Sequence, residues 1–207
     1  MEDAIKQIND KVKLPRGYHL DWSGEYESEK RAAARLAIIV PITVLMIFII
    51  LFIMFQSYKW SLLILVNVGL APVGGLLALA FTGTYLSVSS GIGMLALFGV
   101  SVQTGVIMVE YINQLRARGL NIVDAAVEGA ALRLRPIMMT MLVATLGLLP
   151  AALSHDIGSD SQRPFAIVIV GGLISDLILA IFLLPTFYAW IARDDDELPV
   201  AEAIHEV

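Results

Sequence analysis

GVSVQTGVIMVEYINQLRARGLNIVDAAVEGAALRLRPIMMTMLVATLGLL, residues Gly99–Leu149, holds two apolar runs of membrane length. A short segment with four arginines and no lysine joins them. The first run carries Gln103 and ends in Glu110; the second opens with Pro136 and carries Thr140. Polar groups inside hydrocarbon are costly and usually face a protein interior or a water path. The stretch therefore predicts membrane-spanning helices that do more than anchor.

The rest of the chain agrees. Of its 207 residues 57% are hydrophobic, and the mean hydropathy is +0.77, too apolar for a soluble domain. Crossing roughly 30 Å of hydrocarbon takes about 20 apolar residues as a helix. Five runs meet that length: 36–55, 61–81, 86–112, 136–153 and 164–192. In lipid only helices or closed barrels satisfy the backbone, and these lengths fit helices. A separate surface helix is expected over 121–134, with Ile122, Ala125, Ala126, Ala130 and Leu134 on one side. The glycines and small residues of spans two to five, such as Ser101 and Gly105, read as close helix packing.

Residues 1–30 are polar and do not read as a signal peptide. Ala4, Ile5, Ile8 and Val12 repeat at helical spacing, which predicts a helix over 2–13. LPRG (14–17) ends it, and Tyr18–Trp22 alternates like a short strand. One helix and one strand cannot bury a core, so this piece reads as the end of a larger water-exposed domain. An acidic tail follows residue 192.

Charge and composition exclude several functions. The chain has no cysteine, so disulfides, thiolate metal sites and cysteine nucleophiles are absent. Its net charge of −5 comes mostly from the two ends and leaves no basic stripe, which excludes a nucleic-acid binder. No HExxH, GxSxG or GxGD motif is present, so no enzyme is expected. Arg116, Arg118, Arg133 and Arg135 place the 113–135 segment in the cytoplasm by the positive-inside rule. Five spans then put the N-terminal segment outside and the tail inside. The seven Lys and Arg of residues 1–35 oppose this, but a segment of a large translocated domain is poorly governed by the rule.

Several motifs carry a family resemblance. GVIMVEYINQL (105–115), LRLRPIMMT (132–140) and GSDSQRPFAIVIVGGLIS (158–175), with LLPTFYAW (183–190), resemble the C-terminal membrane half of a resistance-nodulation-division efflux pump. LPRGYHLDWSGEYESEKRAAARLAIIVP (14–41) resembles the passage from the periplasmic pore domain into that pump's eighth helix. Gln162-Arg163-Pro164 and the WSGEYE segment favour the heavy-metal (Czc/Cus-like) branch. The resemblance implies an all-α membrane protein of five transmembrane helices, numbers eight to twelve of such a pump. A short α/β remnant of a periplasmic domain precedes them. It also implies a homotrimer in the inner membrane, in contact with lipid, the N-terminal half of the permease, a periplasmic adaptor and an outer-membrane channel. Energy would come from the proton gradient, with no cofactor. Helices one to seven and the substrate domains would lie outside this length of chain, which predicts inactivity alone. The alternative is a truncated membrane protein that transports nothing.

Three residues are candidates for the proton relay. Gln103 lies where drug-exporting members carry a lysine and copper exporters a glutamate. It cannot titrate, but it can hydrogen-bond a carboxylate elsewhere; the plainer reading is an interhelical hydrogen bond. Thr140 matches a family threonine near the relay, against a simple back-bond to its own helix. Asp176 sits mid-span, where relatives usually carry a small hydroxyl residue. A lone carboxylate there costs ~2.5–3.5 kcal/mol on insertion scales, so it is an added proton-binding group or a hydrogen-bonded packing acid.

Other groups read as interfacial. Glu110 is placed within reach of Arg116 and the headgroups, and Arg133 and Arg135 anchor the start of span four. His155, Asp156 and Asp160 form a weak divalent-cation candidate. Met138, Met139 and Met141 are consecutive enough to point to different faces and read as core filling. Ile169 and Leu173 stand where copper pumps have methionines, which argues against copper or silver.

Overall fold

The computed structural model describes residues 25–154, 159, 161–193 and 196, and side chains from Lys30 onward. The helix expected over 2–13, the strand over 18–22, His155, Asp156, Asp160 and most of the acidic tail lie outside the described residues. Among the described residues all regular structure is helical. Five helical stretches are long and apolar enough to cross a membrane: Lys30–Phe55, Tyr58–Thr82, Val88–Ala117, Ile122–Leu153 and Gln162–Ile191.

Span I is α1 (Glu25–Phe55). Only 6% of its most apolar window is buried, and Ile38, Ile42, Leu45, Ile49 and Ile53 point outward. In water such a helix would be unstable; in lipid those side chains cost nothing. Span II is α2 (Tyr58–Leu70) and α3 (Pro72–Thr82), broken at Ala71 because Pro72 has no N–H to continue the ladder. Span III is α4 (Val88–Ala117), opened by a reciprocal cap between Ser87 and Ser90.

Span IV is α5 (Ile122–Leu153), and here the expectation needs correcting. The surface helix expected over 121–134 and the span expected from Pro136 are one continuous helix, with Pro136 and Pro150 inside it. A proline removes one backbone bond, and neighbouring helices compensate for that in a membrane bundle. The inward face of 122–134 is as expected: Ala125 and Ala126 are buried, while Asp124, Glu128 and Arg135 are exposed. Gly129 lets this helix close onto Ile112 and Leu115 of α4.

Span V is α6 (Gln162–Ile178), a π-helical turn at Leu179–Leu183, and α7 (Leu184–Ile191). It is the central post, packing on α3, α4 and α5. Its crossing with α3 is backbone on backbone. A Cβ on Gly171 would lie 2.4 Å from Ala78 Cβ and 2.8 Å from the Gly74 carbonyl, so no larger residue fits. Ser175 donates to the Ala71 carbonyl at 2.8 Å, a bond made at the break in span II.

Candidate intramembrane site

The polar group at the heart of the bundle is Asp176. It is fully buried, 14 residues after the start of span V and 15 before its end, roughly 21 Å from each. Ser101 of α4 donates to its Oδ1 at 2.6 Å, and Asn67 of α2 donates to the same oxygen through Nδ2 at 3.3 Å. Asn67 Nδ2 also donates to the Ser101 hydroxyl at 3.2 Å. Thr104 acts on the carboxyl as well, with its own hydroxyl proton given to the Val100 carbonyl at 3.0 Å. Three spans thus meet on one carboxyl group, through uncharged partners.

Two atoms of this cluster, Asp176 Oδ2 and Asn67 Oδ1, have no hydrogen-bond partner among the described residues. A buried polar atom left that way costs about 1–3 kcal/mol. Asn67 was missed from the sequence. It is the one amide inside the 61–81 run, and the rule that singled out Asp176 applies to it equally.

The other two relay candidates lie elsewhere. Gln103 is exposed on the outer surface of the bundle, with no interhelical hydrogen bond among the described residues, because Ser101, Thr104 and Gly105 take the inward face of α4. Thr140 is exposed too, and its hydroxyl donates to the Ile137 carbonyl of its own helix at 2.9 Å. The structure does not bring either to Asp176.

A second polar cluster closes the end of the bundle where span V finishes. Arg116, nearly buried, donates to the Tyr188 hydroxyl at 3.2 Å and to the Arg193 carbonyl at 2.7 Å. Tyr188 donates to Asn113 Oδ1 at 2.5 Å and stacks on Trp60 with centroids 4.3 Å apart. Lys59 pairs with Asp196 at 2.5 Å. Burial pushes the Asp196 carboxyl up, but the Lys59 ammonium, the Arg193 N–H and the Arg116 charge outweigh it and hold it below its ordinary value. Arg116 is thus turned toward the tail rather than Glu110, whose bond is from Gln114 at 3.5 Å. Arg133 lies over the Tyr111 ring, 4.2 Å from its centroid, and Arg135 is exposed.

The sequence model of the AcrB/AcrD/AcrF family matches residues 1–192. The chain belongs to this family. Within it, the cobalt-zinc-cadmium resistance protein CzcA of Cupriavidus metallidurans is 38% identical over 195 residues, 94% of this chain and 18% of that protein. Protein HelA of Legionella pneumophila is 44% identical over 189 residues, 91% of this chain and 18% of its own length. A crystal structure of a heavy metal efflux pump superposes with a TM-score of 0.76 at 44% identity, covering 92% of this chain and 19% of that one. The resemblance to the heavy-metal branch of the efflux pumps is therefore real. The chain spans about a fifth of the length of the relatives it matches. It is a multi-pass membrane protein by its five helical spans and by its family.

Proposed function

We propose that these five spans are the C-terminal membrane half of an inner-membrane permease that exports metal cations in exchange for protons. The observation that carries the proposal is the identity to a cobalt-zinc-cadmium resistance protein and to a heavy metal efflux pump, 38% and 44% over nearly the whole chain. The spans would correspond to helices eight to twelve, with the N-terminal segment periplasmic and the acidic tail cytoplasmic. The working unit would be a homotrimer joined to a periplasmic adaptor and an outer-membrane channel. By itself this length of chain would be inactive. The divalent ions cobalt, zinc and cadmium are favoured over copper or silver, since buried Ile169 and Leu173 fill the span V positions where methionine would serve a soft ion.

Asp176, Gln103 and Thr140 are assigned different parts. Asp176 binds a proton within the half-bundle. Gln103 and Thr140, both outward-facing, pack against the N-terminal half and hydrogen-bond its titrating groups. The test is metal tolerance in metal-sensitive cells making the pump that contains these 207 residues. Cells with the intact pump should tolerate cobalt, zinc or cadmium and hold less of the ion. Tolerance equal to that of cells without the pump would favour the alternative, a membrane protein that transports nothing.

A further inference from the structure

The two atoms without partners in the Asp176 cluster belong to residues already in contact. Asp176 Oδ1 accepts from both Ser101 and Asn67, while Oδ2 has nothing. Asn67 Nδ2 donates to Asp176 Oδ1 and to Ser101, while its Oδ1 has nothing. The amide cannot gain by reversing, because its carbonyl would then meet the Asp176 oxygen and a hydroxyl whose proton is already committed. Both unpartnered atoms are acceptors, so neither can serve the other. A proton on Asp176 Oδ2 would supply the donor that this pair lacks.

We propose that Asp176 and Asn67 form a proton-loaded acid–amide pair that ties span V to span II. In the loaded state the carboxyl O–H donates to the amide carbonyl and the amide N–H donates to the carboxyl oxygen. Loading takes a proton from hydronium, leaves water, and neutralises the carboxylate. Unloading returns the proton to water, and no electrons move. Once unloaded, the amide carbonyl loses its donor, and the pair is held by the amide N–H to the carboxylate alone.

The surroundings favour such a switch. Asn67 faces the carboxyl from α2, and Ser101 and Thr104 face it from α4. On its own helix, the Ser175 hydroxyl is given to the Ala71 and Gly172 carbonyls. No charged side chain among the described residues, from α5 or any other element, acts on it. A carboxylate there would have no cation to balance it. Both helices are also broken close by: span V turns π-helical at Leu179, and span II is interrupted at Pro72. Irregular turns of this kind give a helix a place to bend.

The inference deepens the reading of Asp176 as a proton-binding group and does not depend on metal export. It is tested by infrared difference spectroscopy between acid and alkaline pH on the chain reconstituted in lipid. The expected result is a protonated-carboxyl band that Asp176→Asn removes, Asn67→Leu shifts and Thr43→Val, whose hydroxyl bonds the Ile39 carbonyl within α1, leaves in place. Circular dichroism checks that each variant keeps its helices. Should Asn67→Leu lose them, Asn67→Gln, which moves the amide by one methylene, is expected to shift the band instead. The absence of an Asp176-dependent band overturns the proposal. So does a band that both Asn67→Leu and Asn67→Gln leave unshifted, or loss of the band on adding sodium at constant pH. Since no transport is measured, a pump that fails to export metal leaves this result standing, and the converse also holds.

Discussion

Ser101 donates its hydroxyl proton to Asp176 at 2.6 Å, joining spans III and V at the middle of the bundle. Both side chains are fully buried, so no water competes for the bond. Ser101→Ala should destabilise the bundle by about 0.6–1.7 kcal/mol, the range found for side-chain hydrogen bonds between membrane helices. Unfolding from lipid–detergent micelles measures this. A stability unchanged from the parent would mean that the bond contributes nothing.

The crossing of spans II and V depends on the absence of side chains at Gly74 and Gly171. Gly171→Val should cost at least the roughly 1–3 kcal/mol of an overpacked contact, since Ala78 Cβ and the Gly74 carbonyl already occupy the space. Gly147→Val is the control, because nothing lies within 4 Å of a Cβ there. Thermal melts in detergent should show a lowered midpoint for the first variant and little change for the second.

Tyr188→Phe removes one hydroxyl that donates to Asn113 and accepts from Arg116. The ring and its stacking on Trp60 survive. The loss should be about 1–3 kcal/mol, the cost of leaving buried polar partners unsatisfied. The same unfolding assay should then show Trp60→Ala to be worse, because it also opens a cavity of the kind that costs about 3–5 kcal/mol.

Asp196 ties the start of the tail to Lys59, and its carboxyl is held below the ordinary value of ~3.9. A depressed carboxyl stabilises the folded state above its unfolded pKa, and that stabilisation is lost as pH falls through the folded value. The attachment should therefore persist at neutral and mildly acid pH and release only below about pH 4. Lys59 is well exposed, so the pair is worth no more than about 1 kcal/mol and weakens in salt. Hydrogen exchange at the Arg193 amide, which donates to Asp196 at 2.7 Å, reports it. Asp196→Asn should speed that exchange at neutral pH.

The spans were legible because apolar length alone dictates them, and Asp176 because a mid-span carboxylate is expensive wherever it points. Orientation was not legible. α4 is apolar on nearly every side, so no stripe told which way Gln103 faced, and the small residues Ser101 and Gly105 took the inward positions instead. Asn67 was within reach of the same reasoning as Asp176. Its partnership was not, since 109 residues separate the two in the chain. Pro136 misled as a helix start because a proline's local cost is outweighed by packing of the helix on both sides. The Arg116–Tyr188–Trp60 cluster joins three spans through ordinary interfacial residue types, and nothing in their spacing marks them as partners.

Proton-coupled metal export with Asp176 as a participant is tested most directly in vesicles containing the pump that includes these 207 residues. Zinc or cadmium uptake is followed with and without an acid interior. The account predicts uptake that requires the pH gradient and falls to background in Asp176→Asn, with the variant folded and inserted as the parent is. Uptake indifferent to the gradient, or an Asp176→Asn variant that transports like the parent, would contradict it.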